Sequence, residues 1–189
     1  MCLRARPRLS LAGAVGVAAG EKEARADRLA LRERTLADLL RPAGYATGFI
    51  GKWHLGALDS RHHPNARGFD EFVGFRGGWQ DYYRWRLDCN GVYRSADGRY
   101  LTDVFTDEAV QFIRRHARRP FFLHLAYNAP HFPFQAPDED LTPFLETGQF
   151  TRGVALIYAM IRRMDRGIER VLAELDAQGI AENTLVLFT

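Results

Sequence analysis

Apolar positions along this chain follow two periods, and the places where the period changes mark the elements. Residues 46–50 form a short apolar run bounded by Gly44 and Gly51, and residues 121–126 and 184–189 form two more. Runs of that length between turn formers read as buried strands. Ahead of the first, Thr35-Leu36-Ala37-Asp38 matches a capping box. Leu36, Leu39 and Leu40 follow on one helical face, and Pro42 and Gly44 end that short helix. A second helix is predicted to open at Thr106-Asp107-Glu108, with Ala109, Val110, Phe112 and Ile113 inside, arginines in its last turn and Pro120 as its stop. From Gly148 onward, Val154, Ile157, Met160, Ile161, Met164, Ile168, Val171, Leu172 and Leu175 recur at helical spacing, with charges largely opposite and Gly179 as a cap. The methionines of that stripe are core. Helices alternating with short apolar strands predict an α/β fold, a largely parallel sheet covered by helices on both faces.

Between these elements the pattern lapses. The chain reads as loop for a long way after Gly56. His62 and His63 are adjacent on it, so their side chains point apart, and no cysteine or carboxylate stands at ligand spacing. They read as exposed loop histidines rather than metal ligands. Residues 73–100 are rich in glycine and in aromatics, Trp79, Tyr82, Tyr83, Trp85 and Tyr93. Two readings stand open there: rings that stack on a sugar or aryl group, or rings that bury a long irregular connection. His124, mid-run in the second strand, reads as a core histidine.

Candidate chemistry sits where strands end. Beyond Gly51 an extended chain alternates its side chains, so Lys52 and His54 point one way and Trp53 the other. A lysine supplies three donors and a positive charge, and a histidine moves protons near neutral pH, a pairing suited to an oxyanion and its leaving group. His131 follows the second strand between Pro130 and Pro133. Ligands of open α/β sheets bind beyond the carboxyl ends of strands, where this residue falls.

Composition narrows the class without naming a function. With 189 residues, 47% hydrophobic and 26% charged, the chain can bury one good-sized core. The net charge of +3 is small, and Arg114, Arg115, Arg118 and Arg119 read as a solvated helix face rather than a nucleic-acid stripe. Cys2 and Cys89 leave one bridge or none open. The basic start with a mildly apolar stretch at residues 9–20 resembles a weak secretion signal, compatible with periplasmic or extracellular export. Residues 21–34 are dense in charge, and no later run is long enough for stable membrane insertion.

The string from Gly44 to Gly56, Gly-Tyr-Ala-Thr-Gly-Phe-Ile-Gly-Lys-Trp-His-Leu-Gly, resembles the second signature of the sulfatase family, hydrolases of sulfate esters with an alkaline-phosphatase-like fold. Gly68-Phe69-Asp70-Glu71-Phe72 is similar to a structural element downstream of it, and Ala129-Pro130-His131-Phe132-Pro133 to the segment whose histidine contacts sulfate. The resemblance implies that Lys52 and His131 bind substrate, that His54 is catalytic and handles the proton of a formylglycine hydrate, and that a divalent cation, most often calcium, assists. The substrate it implies is a small-molecule or carbohydrate sulfate ester. A phosphatase or phosphonate hydrolase of the same superfamily, or a non-catalytic truncated fragment, is the alternative.

Other family features are not matched. No Asp-Asp precedes residue 35, no Ser-Asp-Asn-Gly segment follows residue 189, and no metal ligand can be assigned. The nearest approach to the Cys-x-Pro-x-Arg nucleophile motif is Cys2-Leu3-Arg4-Ala5-Arg6, with Arg4 where proline or alanine belongs, read as a remnant or chance match. The expectation is therefore a basic, signal-like or scrambled segment over 1–34 and the central part of a sulfatase catalytic domain over 35–189, inactive by itself.

Overall fold

A computed structural model describes residues 28–189, so Cys2 and the signal-like stretch lie outside the described residues. The first helix, α1 (Leu36–Leu40), opens on the capping box: Thr35 Oγ1 accepts from the Asp38 amide at 3.0 Å, and Asp38 Oδ2 accepts from the Thr35 amide at 2.8 Å. A 3-10 turn, Arg41–Ala43, carries it to Gly44, whose φ of 89° suits a residue without a Cβ. Strand β1 (Ala46–Lys52) follows at once and is buried from Ala46 to Gly51.

The remaining elements are β2 (Glu71–Phe75), β3 (Arg86–Cys89), β4 (Val92–Ser95), α2 (Leu101–His116), β5 (Phe121–Ala126), α3 (Asp138–Glu146) and α4 (Arg152–Ala177). They form one five-stranded sheet ordered β4-β3-β2-β1-β5. Strand β1 lies parallel to both neighbours, pairing Gly51 with Gly74 on one side and with Ala126 on the other. The β3–β4 hairpin adds two antiparallel strands, so the sheet is mixed where the sequence predicts a largely parallel one. The region read as irregular thus carries a β-hairpin, and the loop after Gly56 contains β2.

Both faces of the sheet are covered, as predicted. On one, Ile50, Phe75, Leu87, Val104, Phe105, Phe112 and Met160 form the larger core beneath α2 and α4. On the other, Ala37 of α1 packs with Phe49, Trp53, Phe69 and Phe72. Asp70 secures that second layer, its Oδ2 accepting from the Thr47 amide and hydroxyl at 3.1 Å each, which makes the Gly-Phe-Asp element structural.

Five further expectations are corrected. Helix α2 begins at Leu101 rather than Thr106, because Leu101, Val104 and Phe105 already lie on its core face. Helix α3, with three acids in its first turn, was not foreseen. Arg114 and Arg115 are not simply solvated: they pair with Glu174 at 2.7 Å and Glu71 at 2.6 Å. His124 is not in the core; β5 is an edge strand, and its ring stacks on Phe49 at 4.8 Å while one flank stays open. Residues 184–189 form no strand, for they join no ladder, and Leu185 and Phe188 are 83% and 80% exposed. No described helix is long and apolar enough to cross a membrane.

Candidate active site

The parallel register of β1, β2 and β5 brings their carboxyl ends to one edge of the sheet. Lys52 closes β1 opposite Phe75, and Gly51 stands opposite Ala126, after which β5 runs into the loop that carries His131. The contact is tight: a Cβ on Gly51, where φ is +121°, would fall 1.9 Å from the Ala126 carbonyl oxygen. Glycine is required on both counts.

Lys52 is half-buried, and burial pushes its ammonium pKa below that of a free lysine. Trp53 turns inward, 5% exposed, its indole N–H donating to the His62 carbonyl at 2.9 Å. The predicted division of faces between Lys52 and Trp53 therefore holds. At His54 the strand has ended and φ is +50°, a left-handed conformation uncommon for residues with a Cβ. Its exposed ring lies against Gly78, where a Cβ would meet Nε2 at 2.8 Å.

His131 is exposed as well, and its loop is held from beneath. Tyr82 Oη donates to the His131 carbonyl at 3.0 Å, Gln135 Oε1 accepts from the Tyr82 amide at 2.9 Å, and Gln135 Nε2 donates to Asp81 at 2.9 Å. Burial pushes the Tyr82 hydroxyl well above the usual phenol range, so it remains a donor. The His131 Nδ1 lies 2.8 Å from the Phe132 carbonyl, which can only accept, so Nδ1 carries a hydrogen. Loop 127–135 and residues 78–82 are thus one hydrogen-bonded unit around the two histidines, a link the sequence reading missed. Its one legible signal was the Gly77-Gly78 pair.

Asn128, 5% exposed, has an Oδ1 with no hydrogen-bond partner among the described residues. His62 and His63 are not exposed loop residues: His62 is 3% exposed, and His63 Nε2 meets Asp88 Oδ2 at 3.0 Å. Asp88 reaches His63 through the β3 strand, which sequence spacing did not indicate.

Sulfatases generally depend on a metal ion, and the described residues do not fit one: no group of three or more His, Cys, Asp or Glu side chains among them could hold it. A cleft of about 360 Å³ between α2 and α4 is lined by Asp103, Asp107, Arg163, Arg166 and Arg170. Those charges already pair with one another or with Asp140, leaving no uncompensated cation for an anion.

The chain is similar to known proteins in sequence and in fold. The chain is 33% identical to the uncharacterized sulfatase YdeN of Escherichia coli (strain K12), over 86% of this chain and 33% of that protein. It is 38% identical to the N-acetylgalactosamine-6-sulfatase of Canis lupus familiaris, over 84% of this chain and 32% of that protein. It therefore spans about a third of the length of these curated relatives. The solved structure of Ps i-CgsB in complex with k-i-k-neocarrahexaose superposes with a TM-score of 0.70 at 35% identity, covering 76% of this chain and 36% of that one. The family model described as Sulfatase matches residues 9–189, and the chain belongs to the sulfatase family.

Proposed function

We propose that residues 35–189 are the central part of a sulfatase catalytic domain and supply the anion-handling portion of a site that hydrolyses sulfate esters. The observation that carries this reading is the shared sheet edge: Lys52 at the end of β1, and the loop of His131 leaving β5 opposite Gly51. Lys52 contacts the sulfate oxygens and offsets charge that grows as the ester bond breaks. His54 moves the proton of the attacking group. His131, with Nδ1 committed to the Phe132 carbonyl, donates to sulfate from Nε2 only as the doubly protonated ring.

The substrate class we propose is a carbohydrate sulfate. Two similar proteins support it, one named for N-acetylgalactosamine 6-sulfate and one crystallised with a neocarrahexaose. The formylglycine nucleophile and the divalent cation, calcium in this proposal, belong to the whole enzyme and lie outside the described residues.

The test is hydrolysis of 4-nitrocatechol sulfate with calcium by this chain and by the same chain extended at both ends along its gene. We expect turnover from the extended form and little from the short one. His54→Ala should lower turnover on the order of a hundredfold or more. Equal or faster turnover of the phosphate ester of the same alcohol would transfer the reading to a phosphatase of the same superfamily. No turnover of either ester by the extended form would leave a non-catalytic fragment.

A further inference from the structure

We infer that Trp79 and Phe132 form a stacking platform for the sugar ring that bears the sulfate, a subsite beside Lys52, His54 and His131. The inference rests on the sulfate-ester reading above and names what holds the rest of the substrate. Trp79 is 59% exposed and Phe132 55%, yet the two come from different loops and stack on each other, with centroids 6.2 Å apart and planes 21° from parallel. Single exposed apolar residues need no explanation, but a stacked exposed pair is an apolar surface kept open.

Its position ties it to the candidate site at two points. Phe132 also stacks on the neighbouring His131 ring at 4.8 Å. Trp79 directly follows Gly78, which the His54 imidazole lies against. The platform therefore borders both histidines, through Phe132 itself at His131 and one residue from Gly78 at His54.

The segment that presents Trp79 is fixed. Gln80 Nε2 donates to the Arg86 carbonyl at 3.0 Å, and Asp81 Oδ1 accepts from the amides of Tyr83 and Arg84 at 2.8 and 2.7 Å. A firmly held loop whose indole stays 59% exposed beyond its stack on Phe132 is built for contact from outside.

The ring chemistry and the charge both favour a sulfated sugar. A pyranose can lay its C–H face on the rings while its hydroxyls stay in water, which suits an open platform; an aryl ring gains most from full enclosure. Lys52, and Arg76 directly after β2, form no ion pair with a carboxylate among the described residues. Among the described residues that sheet edge thus carries two cations without a carboxylate partner, complementary to an anionic sugar.

Acrylamide quenching of tryptophan fluorescence tests this without requiring turnover. The chain has three tryptophans, and Trp53 and Trp85 are buried at 5% and 1% exposure, so the quencher reads Trp79. N-acetylgalactosamine 6-sulfate should lower Trp79 quenching about twofold. Its affinity, followed by calorimetry, should fall about fivefold in Phe132→Ala and in Phe132→Leu, and also in Lys52→Ala. Sodium sulfate should compete for binding and leave the quenching unchanged.

Lys52-dependent binding of the sulfated sugar without protection of Trp79 would overturn the platform and leave the sulfate reading standing. Equal protection by plain N-acetylgalactosamine, insensitive to Lys52→Ala, would keep the platform and overturn the sulfate reading. Phenyl sulfate protecting Trp79 better than the sugar sulfate would overturn the assignment to a sugar. Binding of none of these compounds would overturn both.

Discussion

Gly51 and Ala126 face each other across β1 and β5 so closely that a Cβ on the glycine would lie 1.9 Å from the alanine carbonyl oxygen. The obstacle is backbone, which cannot swing aside, and the φ of +121° adds strain for any other residue. Gly51→Ala is therefore expected to lower stability by about 2–4 kcal/mol, read as a fall in the urea midpoint with unchanged slope. An unshifted midpoint would show that β1 and β5 are not held together as described.

Gly78 makes a similar approach with a different expected outcome. Here the obstacle to a new Cβ is the end of an exposed side chain, the His54 imidazole, 2.8 Å away. That ring can move at little cost. Gly78→Ala should keep stability within about 0.5 kcal/mol while sulfate-ester turnover of the extended form falls about tenfold or more, since a small misplacement of a proton-transfer group is costly. Melting and steady-state kinetics on the same variant check it. Full activity would dissociate Gly78 from the site.

The lowered pKa of Lys52 has a sign that can be measured. Burial disfavours the ammonium, so Lys52 loses its proton at a lower pH than a free lysine does. Sulfate affinity should decline on the alkaline side as pH rises through that titration. In Lys52→Arg the decline should move upward, because arginine stays charged. Calorimetric titration with sodium sulfate from about pH 7 to about pH 10 reads both limbs.

Glu71 ties the sheet to the end of α2. Burial acts against its charge, but hydrogen bonds to His116 and to Arg115, the latter at 2.6 Å, prevail and hold its pKa below the ordinary glutamate value. A depressed carboxylate stabilises above its unfolded pKa, and that contribution is lost as pH falls through the folded one. Glu71→Gln should cost about 1 kcal/mol at pH 7 and almost nothing near pH 3, by denaturant melts at the two values. A constant difference would contradict the ion-pair origin.

Legibility followed the range of the interaction. The α1 capping box, the Gly44 turn, strand β1 and the Gly179 end of α4 were readable because each is decided within a few residues. Strands β3 and β4 escaped notice: they are four residues each and show no clean alternation, with Leu87 and Asp88 adjacent and both buried, and Val92 and Tyr93 adjacent and both exposed. His63 read as solvent-facing because Asp88, its partner, is far away in sequence. The apolar run at 184–189 had the composition of a strand but has no ladder, and a strand is stable only when paired.

By itself the sequence determined the order of helix, turn, strand and site, the family motif around Lys52 and His54, and the placement of His131 after a strand. These depend on local propensity, glycine and proline geometry, and short-range periodicity. Only the tertiary structure decided that Gly78 lies against His54, that Tyr82 and Gln135 hold the His131 loop, and that Trp79 meets Phe132. Each joins residues tens of positions apart. Such contacts depend on strand register and close packing, which no local pattern encodes.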